Sequence, residues 1–178
     1  MGKAEILLRL ANGIAAGAPG FYDVKGPGGG NRSTNEFIAA LRSAAESEFG
    51  EYFSERAICG SNRLAVDYYF PDESTIVEVA LGLRNPNTEF EKDILKALIA
   101  KGKGNRVERL FLISKPGGRK KCQQPGRSEF IAWLKEQHNI DVEVYDLRVG
   151  HAFHMHQPDA RASSATLGII ARGLCANH

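Results

Sequence analysis

Hydrophobic and polar positions alternate along the chain with two different spacings, which predicts a mixture of helices and strands. A spacing of three to four residues puts apolar side chains on one face of a helix, and it occurs at 3–16, 33–53, 89–100 and 128–138. Runs typical of strands occupy both arms of 64–83 and the stretches 107–114 and 141–147, and a short strand is expected within 55–60. A Ser-Thr-Asn-Glu capping box at 33–36 begins the longest of the helices.

The segment 64–83 predicts a β-hairpin, because the turn residues Pro-Asp-Glu-Ser separate its two apolar arms. A four-residue loop pairs Phe70 with Thr75, and the register then places Asp67 opposite Glu78. Alternation assigns to one face, as a core surface, Leu64, Val66, Tyr68, Val77, Val79 and Leu81. It assigns to the other face Ala65, Asp67, Tyr69, Ile76, Glu78 and Ala80.

The carboxylates of Asp67 and Glu78 are candidates for chemistry, because like charges directly opposite on a sheet are destabilising. Full solvation, a shared proton or a bound cation would relieve the repulsion. Hard divalent ions such as Mg²⁺ bind one or two carboxylates and keep water ligands. From these two residues alone, an exposed polar face and a metal site fit the pattern equally well.

Two of the helices carry charged residues within or beside their apolar faces. Glu48 falls inside the apolar stripe of the helix with the capping box, where a carboxylate is costly unless it has a partner. Either Glu48 lies at the rim and reaches solvent, or it points at the same ion as the hairpin carboxylates. In the helix 89–100, Glu91 lies within the apolar arc, Lys92 lies just past its edge, and Lys96 lies further round.

Composition narrows the class of protein only modestly. The 178 residues carry a net charge of +2, which is ordinary for a globular domain and gives no global signal of nucleic-acid binding. Three cysteines without metal or redox spacing indicate a reducing cytoplasm. No apolar run is long enough to span a membrane. We expect an N-terminal helix and Gly-rich loop over 1–32, a core domain over 33–147 and an irregular segment over 148–178.

Positive charge is nevertheless concentrated in one loop, which contains Lys115, Arg119, Lys120 and Lys121 and no acidic residue. A solvated basic turn and a phosphate-contacting loop are equally compatible with this run. Arg32, which ends the Gly-rich loop, is a further candidate for contact with phosphates. Such contacts would give salt-dependent affinity without reading sequence.

The element order is helix, short strand, hairpin, helix, strand, helix, strand, with Glu48 on the first helix and Asp67 and Glu78 on the hairpin arms. This arrangement resembles the PD-(D/E)XK nuclease superfamily, which includes many type II restriction endonucleases. The resemblance covers 33–147 and implies an α/β (α+β) fold with an αβββαβ core, in which helices flank a central mixed sheet. One residue departs from the pattern, because Ala80 stands where the superfamily has a lysine.

The resemblance implies an endonuclease that hydrolyses phosphodiester bonds in DNA with Mg²⁺, for which Mn²⁺ could substitute. Asp67 and Glu78 would hold the metal, and Glu48 would complete or orient its ligands. Lys92 would supply the missing positive charge from the following helix, and Glu91 would add a carboxylate from the same turn. RNA is not excluded as substrate, and a homodimer is an option because many enzymes of this superfamily are dimers. The alternatives are a non-catalytic nucleic-acid-binding or protein-interaction domain on the same scaffold, and an unrelated α/β domain with an incidental carboxylate pair.

Overall fold

A five-stranded mixed sheet forms the centre of the molecule, and helices cover both of its faces. The computed structural model describes residues 1–18, 20–22, 29–61, 64–83 and 89–148. Its helices are α1 (Lys3–Ala16), α2 (Gly29–Phe49), α3 (Glu89–Gly102), α4 (Gly118–Cys122) and α5 (Pro125–His138). Its strands are β1 (Ser54–Arg56), β2 (Val66–Phe70), β3 (Thr75–Glu78), β4 (Arg109–Ser114) and β5 (Asp141–Asp146). No helix among these residues is both long and apolar enough to cross a membrane.

The strands lie in the sheet in the same order as in the chain. The first three strands pair antiparallel, and β3, β4 and β5 pair parallel. The prediction of an α/β protein with a mixed sheet flanked by helices is therefore confirmed. Because β3, β4 and β5 run in one direction, their last residues, Glu78, Ser114 and Asp146, lie at one edge of the sheet.

Each face of the sheet has its own hydrophobic core. Helices α1 and α2 cover one face, where the buried side chains include Leu7, Leu41, Phe70, Val77 and Phe111. Helices α3 and α5 cover the other face, where they include Ile76, Phe90, Ile94, Leu110 and Leu134. Complete burial of one such side chain stabilises the fold by roughly 1.5–3 kcal/mol.

The hairpin has the predicted register, since Phe70 pairs with Thr75 and Tyr68 with Val77. Its turn is a short 3₁₀ helix followed by Ser74 in the left-handed region at φ 51°. The backbone pairing between β2 and β3 extends from Phe70 and Thr75 to Tyr68 and Val77. Beyond this pair, a side chain joins the two strands, since the Asp67 carboxylate accepts a hydrogen bond from the Val79 backbone N–H at 2.7 Å.

The predicted assignment of hairpin side chains to the two faces is partly wrong. Tyr68, Val77, Val79 and Leu81 do pack against α1 and α2. In contrast, Val66 and Leu64 pack on the α3 side of the sheet. The second face is also not an exposed polar surface, since α3 and α5 cover it.

Several element boundaries differ from the predicted ones. Helix α2 begins at Gly29, four residues before the capping box. Helix α5 begins at Pro125 rather than at Ser128, in agreement with the preference of proline for the first helical position. The basic loop contains the short helix α4. Most of the Gly-rich loop, and the C-terminal segment beyond residue 148, lie outside the described residues.

Candidate active site

Glu78 is the last residue of β3, and its side chain lies beneath α3 with only 2% of its surface exposed. Its Oε2 atom accepts a hydrogen bond from Lys96 Nζ at 2.8 Å. Its Oε1 atom is buried and has no hydrogen-bond partner among the described residues. Because a buried polar atom without a partner typically costs 1–3 kcal/mol, Oε1 is a position where a ligand would be bound favourably.

Lys96 reaches Glu78 from the middle of α3 and also contacts Asp93 on its own helix. The distance from Lys96 Nζ to Asp93 Oδ1 is 3.1 Å, and Asp93 is only 4% exposed. The two residues are three positions apart, which places them on the same side of a helix. The ammonium group therefore lies between one carboxylate from the sheet and one from the helix.

Two further carboxylates lie around this cluster. Asp67 on β2 has one oxygen on the Val79 N–H, and its other oxygen accepts no hydrogen bond from the described residues. Glu89 begins α3 and has a buried Oε2 atom that also lacks a partner among these residues. Around one lysine there are thus four carboxylates, of which two have an oxygen that is buried and unpaired.

The environment raises the pKa of the acids in this cluster. Burial, together with the charges of Asp67 and Asp93, raises the pKa of Glu78 well above its ordinary value, although Lys96 opposes the rise. Burial raises the pKa of Asp93 to about 6, again against the effect of Lys96. Burial and the Asp93 charge raise the pKa of Glu89.

For Lys96, burial alone would lower the pKa, but the charges of Glu78 and Asp93 outweigh burial, so its pKa is raised. The lysine therefore remains a cation at neutral pH. A single positive charge does not balance the surrounding acids. The cluster would bind an additional cation or proton for electrostatic reasons.

The residues predicted from the sequence divide into those that the structure brings together and those that it does not. Asp67 and Glu78 both belong to the cluster. Glu48 instead forms an exposed ion pair with Arg9 of α1 at 3.2 Å, so it does not reach the hairpin carboxylates. Glu91 and Lys92 are exposed on α3. The position of Lys92 does not favour the catalytic role predicted for it.

The buried face of α3 is rotated about the helix axis relative to the face that the sequence predicts. The apolar pattern of 89–100 predicts Leu95 on the buried face together with Phe90 and Ile94, but the Leu95 side chain is 50% exposed. The residues that are buried include Asp93, Lys96, Ala97 and Ala100. Ala97 and Ala100 continue the three- to four-residue spacing of the buried positions, and this spacing is the signal that would have identified Asp93 and Lys96 as inward-facing residues.

The basic helix α4 lies at the same edge of the sheet as Glu78. Asp146 holds its start, since the two carboxylate oxygens accept hydrogen bonds from the backbone N–H groups of Gly117 and Arg119, each at 2.9 Å. Gly118 fits closely against the sheet, because a Cβ atom there would lie 2.6 Å from Ser114 Cβ. Strand β5, which carries Asp146, is two strands away from β3, or about 10 Å.

Within this basic region the side chains have different surroundings. Arg119 and Lys120 are exposed, and Lys121 is partly exposed. Lys115 instead donates a hydrogen bond to the Phe21 carbonyl at 3.0 Å, and its Nζ lies 4.3 Å from the centre of the Phe21 ring. Arg32 does not belong to this region, because it lies in α2, where it forms an exposed ion pair with Glu36.

The residues present fit a cation site with two carboxylate ligands better than a site with three. In the part of the chain that the structure describes, no three His, Cys, Asp or Glu side chains are placed so that they could hold a metal ion together. Among the described residues, oxygens without a hydrogen-bond partner remain on Glu78 (Oε1), Glu89 (Oε2) and Asp67. Mg²⁺ is commonly bound by one or two carboxylates, and Glu78 and Asp67, which lie on neighbouring strands, are the candidate pair. Comparisons with protein-family models, curated proteins and solved structures give no match to this chain.

Proposed function

We propose that this protein is a Mg²⁺-dependent endonuclease that hydrolyses phosphodiester bonds in DNA, with Asp67, Glu78 and Lys96 as its catalytic residues. The observation that carries the proposal is the buried carboxylate of Glu78, which binds a lysine through one oxygen and has no partner on the other among the residues that the structure describes. Two neighbouring acids could hold a metal ion that activates water and neutralises charge on a phosphate, and a nearby cation could stabilise the negative charge that develops.

The arrangement of elements supports a PD-(D/E)XK-like scaffold. Helix α2, three antiparallel strands, helix α3 and the parallel strand β4 follow one another in the order αβββαβ. The two acids lie on neighbouring strands of the hairpin. The lysine that such an enzyme would have at position 80 comes instead from α3, since Ala80 is buried in the core and Lys96 contacts Glu78.

Each residue would have a distinct role in the reaction. Glu78 Oε1 and Asp67 would hold Mg²⁺, and Mn²⁺ would be accepted by the same oxygen ligands. Bound there, the ion would lower the pKa of a water molecule and neutralise charge on the scissile phosphate. Lys96, which is buried beside Glu78, would supply a fixed positive charge that acts through space on the phosphate as negative charge develops on its oxygens.

The basic side chains of α4 would contact the DNA backbone. Ligands of open α/β sheets commonly bind beyond the carboxyl ends of the parallel strands, which is where both Glu78 and α4 lie. Arg119, Lys120 and Lys121 would contribute affinity that depends on salt and carry no sequence readout. The placement of Lys115 on Phe21 makes it a weaker candidate for this role.

A second candidate function is non-catalytic binding of nucleic acid or protein on the same scaffold. One observation favours it, namely that Lys96 already neutralises Glu78 in a buried ion pair. Such a pair can be purely structural. In that case the protein would bind DNA through α4 without cleaving it.

A plasmid-cleavage assay separates the two candidates. Supercoiled DNA is incubated with the protein in Mg²⁺, in Mn²⁺ and in EDTA, and a structured RNA is tested in parallel. We expect cleavage of DNA with either metal and none in EDTA. Retardation of DNA in a gel without cleavage in any metal would support the binding function instead and would overturn the proposed enzyme.

Matched variants then identify the cation on α3. We expect Lys96→Met to slow cleavage by about 10²-fold or more, which is the typical effect of losing one preorganised electrostatic group. Lys92→Met, on the exposed side of the same helix, should cleave like the parent. Glu78→Gln should be inactive, and Glu108→Gln, an exposed glutamate paired with Arg106, serves as its control. The free energy of unfolding is measured for each variant, so that loss of fold is distinguished from loss of chemistry.

A further inference from the structure

We infer that Asp93 is a positioning residue, which holds the Lys96 ammonium group beside Glu78 and keeps it there when Glu78 binds a metal. The inference rests on the proposed function, because the position of Lys96 matters only if Lys96 acts on a substrate. The inference adds to the two acids of the hairpin a third acid, on α3, whose role is to position Lys96 and not to bind the metal.

The contacts of Lys96 support this role. Its Nζ atom lies 2.8 Å from Glu78 Oε2 and 3.1 Å from Asp93 Oδ1. All three side chains are nearly inaccessible to solvent, so water does not replace either carboxylate. An ammonium group has three donors and a flexible four-carbon stem, and two anchors on different elements restrict its position far more than one would.

A second anchor becomes necessary when a divalent cation binds. A metal on Glu78 Oε1 would compete with Lys96 for the charge of the same carboxylate, and the two cations would repel each other. Asp93 gives Lys96 a counter-charge on its own helix. With Asp93 present, the ammonium group would remain in the site beside the metal instead of turning away to solvent.

Two other roles for Asp93 give different results from the one inferred. As a metal ligand, Asp93 would determine the Mg²⁺ concentration that supports half-maximal cleavage. As a purely structural residue, it would affect stability without affecting the chemical step through Lys96. The experiment therefore measures the rate, the metal dependence, the substrate affinity and the state of Lys96 separately.

The experiment compares single-turnover cleavage by Asp93→Asn in the parent and in the Lys96→Met background. In the parent background we expect a rate about 10- to 100-fold lower, with the DNA affinity and the Mg²⁺ midpoint nearly unchanged. In the Lys96→Met background the same change should have almost no effect, because a residue that acts through another is non-additive with it. Asp93→Glu should recover part of the rate, and Asp141→Asn, an exposed aspartate paired with Lys135, should have no effect.

Three results would overturn the inference: an equal loss of rate in both backgrounds, a parent-like rate for Asp93→Asn, or a tenfold rise in the Mg²⁺ midpoint, which would make Asp93 a metal ligand. If Asp93→Asn does not fold, Asp93→Ser in the same two backgrounds takes its place.

A spectroscopic measurement does not depend on cleavage. In protein labelled with ¹⁵N-lysine, the Lys96 ammonium resonance should be resolved and protected from solvent exchange in the parent, and this protection should be lost in Asp93→Asn. If the parent does not cleave DNA, the proposed function fails, and this measurement alone decides whether Asp93 holds Lys96. Unchanged protection in the variant would overturn the inference.

Discussion

Raising the pH should destabilise this protein in the absence of metal, because Asp93 must ionise inside the fold. Burial raises the pKa of Asp93 to about 6, whereas an unfolded chain has the ordinary value of about 3.9. Between these two values the folded state binds more protons than the unfolded state. The free energy of unfolding therefore falls as the pH rises through this window, and below it the contribution of Asp93 is fully favourable.

The expected magnitude follows from the difference between the two pKa values. Each unit corresponds to about 1.4 kcal/mol, so Asp93 should lower the free energy of unfolding by about 2 kcal/mol between pH 4 and pH 7. That is a large part of the roughly 5–15 kcal/mol that stabilises a typical domain. Glu78, whose pKa is also raised by burial, acts in the same direction.

Urea denaturation in EDTA at a series of pH values tests this expectation. Other acids have a lowered pKa, as Glu5 does despite its partial burial, because Arg109 lies beside it. Their contribution to the stability of the protein is lost at low pH instead. The useful quantity is therefore the difference between the parent and Asp93→Asn at each pH. From pH 4 to pH 7, the free energy of unfolding of the variant should rise relative to that of the parent by about 2 kcal/mol. A difference that stays constant across this range would refute the electrostatic reasoning, and Asp141→Asn should show a constant difference.

Two further predictions concern the hairpin and the basic helix. Asp67→Ala leaves the buried Val79 N–H without its acceptor and should lower the free energy of unfolding by about 1–3 kcal/mol. Asp67→Asn keeps an acceptor, so it should be nearly as stable as the parent while it loses Mg²⁺-dependent cleavage. Equal stability of the two variants in urea denaturation would contradict this prediction. Reversing the charge of Lys120 and Lys121 should weaken DNA binding and flatten its dependence on salt. The control is Lys103→Glu, directly after the C-terminal end of α3, which should change neither property. An unchanged salt slope in fluorescence anisotropy for the Lys120 and Lys121 variant would rule out α4 as the phosphate-binding surface.

The order of elements and the register of the hairpin were predictable from the sequence, because both depend on local signals. The turn residues at 71–74 determine which residues pair, and the pairing of Tyr68 with Val77 follows. The parallel strand at 109–114 was recognisable as a continuous apolar run, as expected for a strand covered on both faces.

The composition of the cluster was not predictable, because it depends on how α3 lies against the sheet. The apolar residues Phe90, Ile94 and Leu95 are compatible with more than one orientation of the helix, and in the structure Phe90 and Ile94 are buried whereas Leu95 is half exposed. For Glu48 the sequence leaves open a position at the rim and a position at the ion, and it does not show that Arg9 of the preceding helix is the partner that holds Glu48 at the rim.

Lys96 and the two hairpin acids of the cluster come from separate structural units, α3 and the β2–β3 hairpin, and this has a dynamic consequence. Proteins open locally in cooperative segments whose free energies are lower than that of global unfolding. An opening that lifts α3 from the sheet would remove Lys96 and leave Asp67 and Glu78 in place on the hairpin. The completeness of the cluster is thus tied to the local stability of one helix, and hydrogen exchange of the α3 amides would report how often the site exists in assembled form.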